Sequence, residues 1–169
     1  MEKKRTKQAT HNTCLLWISI FIPLAVGTVA GLLTRGAMGQ YMVMEQPPLS
    51  PPAWLFSVVW TILYVLMGIA SWLVLTSDAE EKDIERAQAI YFYQLAVNFL
   101  WPFFFFHFQW YLFSLLWLLL LWGLVFVMVR QFYKISKPAG LLCIPYLLWL
   151  TFAAYLNAGV WWLNKIFLQ

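Results

Sequence analysis

A run of about 18 or more apolar residues without charge can cross the hydrocarbon core of a bilayer as a helix. This chain contains five such runs, at 14–33, 53–75, 89–108, 112–129 and 139–163. None of them holds an Asp, Glu, Lys or Arg. With 63% hydrophobic and 11% charged residues in 169, a water-soluble domain could not cover its own apolar surface. The fold class is therefore an all-α membrane protein, a bundle of five transmembrane helices. Residues 1–13 form a basic tail and residues 14–169 one membrane domain. The start "MEKKRTK" resembles the charged flank of a signal peptide, but the apolar run after it is too long for one and has no small-residue cleavage site.

The connections are unequal. Loop 1, residues 34–52, is long and rich in Gly and Pro; loop 2, "SDAEEKDIERAQ", is charged and reads as a helical extension with a solvated face. The link at "HFQWY" is tight and the link at "RQFYKISKP" is short and basic. Short links imply antiparallel neighbours in one bundle. With an odd number of spans, the tail, loop 2 and the basic fourth link share one side. They carry Lys3, Lys4, Arg5, Lys7, Lys82, Arg86, Arg130, Lys134 and Lys137, against Arg35 and Lys165 on the other. The positive-inside rule then places the N-terminus inside, with loop 1 and the C-terminus outside. The same clustering explains the net charge of +4 as a topology signal, so no nucleic-acid partner is expected.

Polar groups inside a bilayer are costly and turn toward the bundle interior. In the third run, Tyr91, Gln94, Asn98 and Trp101 recur at intervals of three and four and share one helical face. Pro102 lacks an N–H and frees the carbonyl of Asn98, four residues back. In the second run, Ser57, Trp60 or Thr61, Tyr64 and Gly68 make a comparable face; in the fifth, Pro145, Trp149, Ala153, Leu156 and Asn157 fall on or near one stripe. Of the eleven tryptophans, Trp17, Trp54, Trp72, Trp110, Trp161 and Trp162 lie near run ends, where interfacial belts form. Trp117 and Trp122 stay open between lipid and a helical neighbour. Trp60, Trp101 and Trp149 lie too deep for a belt, and at ~1.5 Å rise per residue they can share one layer. Flat indoles with an N–H to satisfy suit a flat ligand, so a mid-membrane pocket beneath loop 1 is expected. Ser50 is expected to cap the second helix, with Pro51 and Pro52 in its first turn. Residues 36–46, with Gly36 and Gly39, read either as a movable gate or as a passive linker.

Several chemistries are not encoded. The spans contain no Ser–His–Asp set, carboxylate pair or metal-type cluster, and no buried charge for ion coupling. Cys14 and Cys143 are read as small hydrophobes. Gly27 and Gly31 form a GxxxG whose first reading is internal packing, with a dimer contact as the alternative.

The segments "PPAWLFSVVWTILYVLMGIASWLV", "QLAVNFLWP" and "PAGLLCIPYLLWLTFAAYLN" closely resemble the signature segments of the TspO/MBR family of tryptophan-rich sensory and translocator proteins, also called peripheral-type benzodiazepine receptors. The resemblance covers about residues 20–164. It implies a five-helix bundle, often dimeric, whose pocket under loop 1 binds porphyrins such as protoporphyrin IX with no required cofactor. It also implies synthetic benzodiazepine-type ligands and, in animal members, cholesterol. Trp60 and Trp149 match a pair that supports light-dependent porphyrin breakdown in some bacterial members. Trp54, Tyr64, Asn98, Trp101, Ala153 and Asn157 match cavity-lining positions. Leu49 stands where the family commonly has Trp, and Trp117 where many members are acidic. After Tyr155 the next basic residue is Lys165, too distant for the animal sterol pattern. The expected partners are membrane lipid, a hydrophobic small molecule such as a porphyrin, and a second copy of the chain. The expected function is a tetrapyrrole-binding receptor or sensor; whether it also degrades the bound porphyrin in light stays open, and porphyrin or lipid transport is the alternative.

Overall fold

The computed structural model describes residues 2–164, with side chains described outside residues 2–11, 38, 40 and 42. The basic tail's side chains and Lys165, used above for orientation, lie outside that description. The elements are α1 (Glu2–Thr34), a 3-10 turn (Arg35–Ala37), α2 (Met38–Val43), α3 (Ala53–Leu75), α4 (Glu81–Pro102), a widened π-type turn (Phe103–His107), α5 (Tyr111–Ile135), α6 (Lys137–Leu142) and α7 (Ile144–Leu163). Among the described residues there is no β-strand, and five helical stretches are long and apolar enough to cross a membrane. The chain is a multi-pass membrane protein.

The helix ends follow local chemistry. From Glu81 on, the charged residues of loop 2 are the opening turns of α4, with Glu81 and Asp83 at its dipole-favoured end. Pro102 ends regular α4, and the next turn loosens so that the N–H of Phe108 reaches the carbonyl of Phe103 at 2.9 Å. Helix α3 begins at Ala53 with Pro52 as its N-cap and no side-chain cap. Ser50 does not cap it; its hydroxyl donates to the Pro47 carbonyl at 2.8 Å and closes a turn in loop 1. That turn holds Leu49 at φ 70°, the left-handed region where a side chain is strained. The stretch read as gate or linker is largely helical, as the 3-10 turn and α2.

The helices pack as a ring in the order α1, α3, α7, α5, α4, with α6 wedged between α3 and α5. At the end of the bundle away from loop 1 the packing is solid. Met67, Ala70, Val74, Ala87, Val125, Met128, Phe132, Ala139 and Cys143 there have no exposed surface. Toward loop 1, α3 stays against α1 while its backbone stands off from α7, which it meets through aromatic rings; its close helix contact with the fifth span is made through α6. The α1–α3 contact is close because it is built on glycines. A Cβ at Gly68 would stand 2.5 Å from the Ile20 Cα, and one at Gly27 would collide with the Tyr64 ring. Gly27 thus serves internal packing, whereas Gly31 faces open space.

Two tryptophans left open by the sequence are helix clips. Trp117 Nε1 donates to the Val97 carbonyl at 2.8 Å, and Trp122 Nε1 to Thr151 Oγ1 at 2.9 Å. Because backbone at Gly68 cannot yield as a flexible side chain can, Gly68→Val should cost about 1–3 kcal/mol. Gly31→Val should stay within about 0.5 kcal/mol. Thermal unfolding in detergent checks both, and equal Tm values for the two variants would contradict this packing.

Candidate functional site

The inward face of α4 appears as the spacing predicts: Tyr91, Gln94, Asn98 and Trp101 are all buried. What it meets is a ladder of neutral hydrogen bonds. Tyr64 of α3 donates its hydroxyl to Asn98 Oδ1 at 3.1 Å, and Asn98 Nδ2 donates to the Tyr146 hydroxyl of α7 at 2.7 Å. Tyr146 donates in turn to Gln94 Oε1 at 3.0 Å. The Trp60 indole stacks on Tyr64, with centroids 5.5 Å apart, and meets Tyr146 edge-on at 6.0 Å. A second group lies nearer loop 1. Trp101 Nε1 donates to Asn157 Oδ1 at 3.3 Å, and Asn157 Nδ2 donates to the Tyr111 carbonyl at 2.9 Å. The Ser114 hydroxyl is within reach of Asn157 Oδ1 and the Tyr111 carbonyl. Among the described residues every buried polar side chain is neutral, and no group of His, Cys, Asp and Glu could hold a metal ion.

Loop 1 closes over this layer and is latched to α7. Tyr41 of α2 is buried in a nest of rings, 6.3 Å from Phe56 and 5.7 Å from both Phe105 and Phe106. Burial raises its phenol pKa above the ordinary tyrosine value, with the nearby Ser50 side chain opposing. The Tyr155 hydroxyl donates to the Pro48 carbonyl at 2.9 Å, and Asn164 Nδ2 to the Glu45 carbonyl at 3.0 Å. Gly159 lets Pro47 lie directly on α7; a Cβ there would stand 2.5 Å from the Pro47 ring.

The eight residues expected to line a pocket do not share one environment. Tyr64, Asn98, Trp101, Ala153 and Asn157 are buried in the interior, with Trp60 half-buried against them. Trp54, at the start of α3, is 65% exposed and stands at a belt position. Trp149 is half-buried, touching Phe56 at 5.9 Å and Phe152 at 5.6 Å, and its Nε1 is buried without a hydrogen-bond partner. No ring contact joins Trp60 to Trp149 among the described residues. The inward stripe of α7 is Tyr146, Leu150, Ala153, Leu156, Asn157 and Val160, so Ala153, Leu156 and Asn157 lie where the sequence placed them. Pro145 and Trp149 sit on the adjoining face, which borders a hollow of about 410 Å³ between α3 and α7. Ser57 and Thr61 likewise face outward, the Thr61 hydroxyl bonding back to the Ser57 carbonyl.

Sequence reasoning did not single out Tyr146, Ser114, Tyr41 or Phe56. Tyr146 was accessible through its spacing of four and three to Leu150 and Ala153, had the stripe been started one residue later. Tyr41 carries no local signal, since its burial is decided by rings of two other elements.

Residues 4–163 match the TspO/MBR family. Among curated relatives, the tryptophan-rich protein TspO of Chlorobaculum tepidum is 37% identical over 150 residues, 88% of this chain and 95% of the relative. The translocator protein of Bos taurus is 32% identical over 147 residues, 86% of this chain and 87% of its own. The tryptophan-rich sensory protein of Cereibacter sphaeroides is 35% identical over 124 residues, covering 73% and 76%. With residues 4–163 matched and these relatives above 30% identity, the chain belongs to the TspO/MBR family.

Proposed function

We propose that the protein is a membrane receptor for a tetrapyrrole such as protoporphyrin IX, held beneath loop 1 between α3, α4 and α7. The observation that carries this reading is the aromatic layer there. Trp60 and Tyr64 offer one stacked wall, and Trp101, stacked on Phe105 at 5.1 Å, offers a second. Amides of Asn98 and Asn157 lie within the same layer. Flat aromatic walls with few, fixed hydrogen-bonding groups are the usual frame for a planar ligand. In the closed state Tyr41 and its ring nest cover the layer, so a porphyrin is admitted only when α2 lifts. The N-terminus and the charged loops face the inside, following the nine cations against two. Self-association as a homodimer is left to the outward faces, with Gly31 on one of them.

A second reading is light-dependent porphyrin breakdown, in which Trp60 and Trp149 are oxidised. Trp60 favours it by its stacking on Tyr64 within the proposed layer. Transport of porphyrins or lipids is the remaining alternative, and without buried charge it would be passive.

Protoporphyrin IX added to the full chain in detergent should quench tryptophan fluorescence saturably. Trp60→Phe with Trp101→Phe should weaken that binding about tenfold, the loss of about 1.4 kcal/mol of stacking. Unchanged affinity and quenching would mean the site is elsewhere. Tyr41→Ala should speed porphyrin association roughly tenfold by removing ring contacts that hold α2 down; stopped-flow quenching measures it, and an unchanged rate would exclude α2 as the lid. Under illumination of the complex, decay of the Soret band faster than in a protein-free control supports breakdown, and equal persistence rejects it. Uptake of porphyrin by liposomes that is indifferent to the protein would remove transport.

A further inference from the structure

No Asp or Glu follows Glu85 in the sequence, so α5, α6 and α7 hold no acidic side chain. The end of α5 and the start of α6 nevertheless carry Arg130, Lys134 and Lys137. Arg130 and Lys134 stand four residues apart on α5, which makes them neighbours on one face, and both are exposed. The acids at this end of the bundle lie on the other arm. Loop 2 and the first turns of α4 hold Asp78, Glu80, Glu81, Asp83 and Glu85 against Lys82 and Arg86. Among the described residues, Arg130, Lys134 and Lys137 form no ion pair with them. The α5–α6 corner therefore keeps its positive charge uncompensated by protein.

Arg130 follows directly on the uncharged run 112–129. At ~1.5 Å per residue that run is about 27 Å long, close to the thickness of the hydrocarbon core, so Arg130 stands at the core's edge. Side chains on a helix lean toward its N-terminus, which for this end of α5 is into the bilayer. The guanidinium carbon accordingly lies 5.8 Å from the ring centroid of Phe126, one turn deeper. Phe126 stacks in turn on Trp122, with centroids 5.5 Å apart and planes 6° from parallel. Trp122 is itself anchored by its hydrogen bond to Thr151 of α7. The ring contact leaves the five N–H donors of the guanidinium unused. At the hydrocarbon edge the groups that match them in charge and geometry are lipid phosphates. Beside this ladder the helix surface has a dip: a Cβ at Gly123 would meet nothing within 4 Å. Leu119, Leu120, Phe126 and Val127 around it are all exposed, so the dip is apolar and opens to lipid.

We propose that the α5 face from Gly123 to Lys134 is a binding site for one acidic phospholipid of the leaflet bordering the charged loops. Its phosphate lies on Arg130 and Lys134, and one acyl chain runs along Phe126 into the Gly123 dip. A choline headgroup would bring a second cation to a corner that already has three, so an anionic headgroup is selected. The site shares no residue with the layer beneath loop 1 and does not depend on the tetrapyrrole reading.

The test titrates the full chain, in a neutral detergent, with dioleoyl phosphatidylglycerol or dioleoyl phosphatidylcholine, and native mass spectrometry counts the lipids retained. One phosphatidylglycerol should bind saturably and about fivefold or more tighter than phosphatidylcholine. Arg130→Gln should bring the two lipids to equal affinity. Lys82→Gln with Arg86→Gln removes two charges from the same end of the bundle, but on α4, and should leave the preference intact. Equal affinities in the wild-type chain, or a preference that survives Arg130→Gln, overturns the proposal. So does a preference lost equally in the α4 pair, since net charge alone would then explain it. Should Arg130→Gln fail to fold, Lys134→Gln decides: it should at least halve the preference, and an unchanged preference overturns the site. Gly123→Leu fills the dip and should weaken the first phosphatidylglycerol severalfold; indifference to it overturns the acyl-chain placement. Millimolar inorganic phosphate should not displace the lipid, and displacement would overturn the lipid assignment in favour of a free anion.

Discussion

In hydrocarbon a polar group has no solvent to fall back on, so each one left without a partner within the protein is costly. The row Tyr64, Asn98, Tyr146 and Gln94 meets this demand with groups from three helices. Each member is useful only if the others are in register, because a single slipped helix leaves two or more groups unpaired in low dielectric. Apolar side chains would hold α3, α4 and α7 together nearly as well against lipid, but they would permit many rotations. The hydrogen-bonded row specifies one. The stacking of Trp60 on Tyr64 follows from it, as does the inward aim of Trp101.

Packing density divides the bundle along its length. Close-packed side chains such as Met67, Ala70, Ala87 and Met128, together with α6, close the end bearing the charged loops. At the other end bulky rings replace close helix contact, and the helices part. Glycines sit where backbones or rings must approach, at Gly68 against α1 and at Gly159 beneath Pro47. A bundle rigid at one end and parted at the other can admit a guest without losing its register.

The five spans, the antiparallel order and the inward face of α4 were legible in the sequence. They rest on local rules of length, charge and helical period, which a bilayer enforces strictly. The α7 stripe was read correctly at Ala153, Leu156 and Asn157 but one residue off at Pro145 and Trp149, because Trp149, a conspicuous residue, was taken as its anchor. The buried set runs instead through Tyr146 and Leu150, and an indole large enough to cover a neighbouring groove is not bound to the interior. The role of Ser50 was also misread: a hydroxyl near a helix start can cap it or bond backward, and the Pro47 turn takes it. The Tyr41 nest, and the parting of α3 from α7, arise from contacts between distant elements. No short window of sequence carries them.

The absence of ionised side chains from the described interior has an electrical consequence. A transmembrane voltage does work only on displaced charge, about 2.3 kcal/mol per elementary charge per 100 mV. The buried Asn, Gln, Ser, Tyr and Trp groups carry none at neutral pH. Tilting α7 (Ile144–Leu163), which carries no charged residue, therefore moves dipoles alone. An energised membrane and a discharged one present this bundle with nearly the same landscape, and its conformational balance is left to whatever dissolves in the lipid around it.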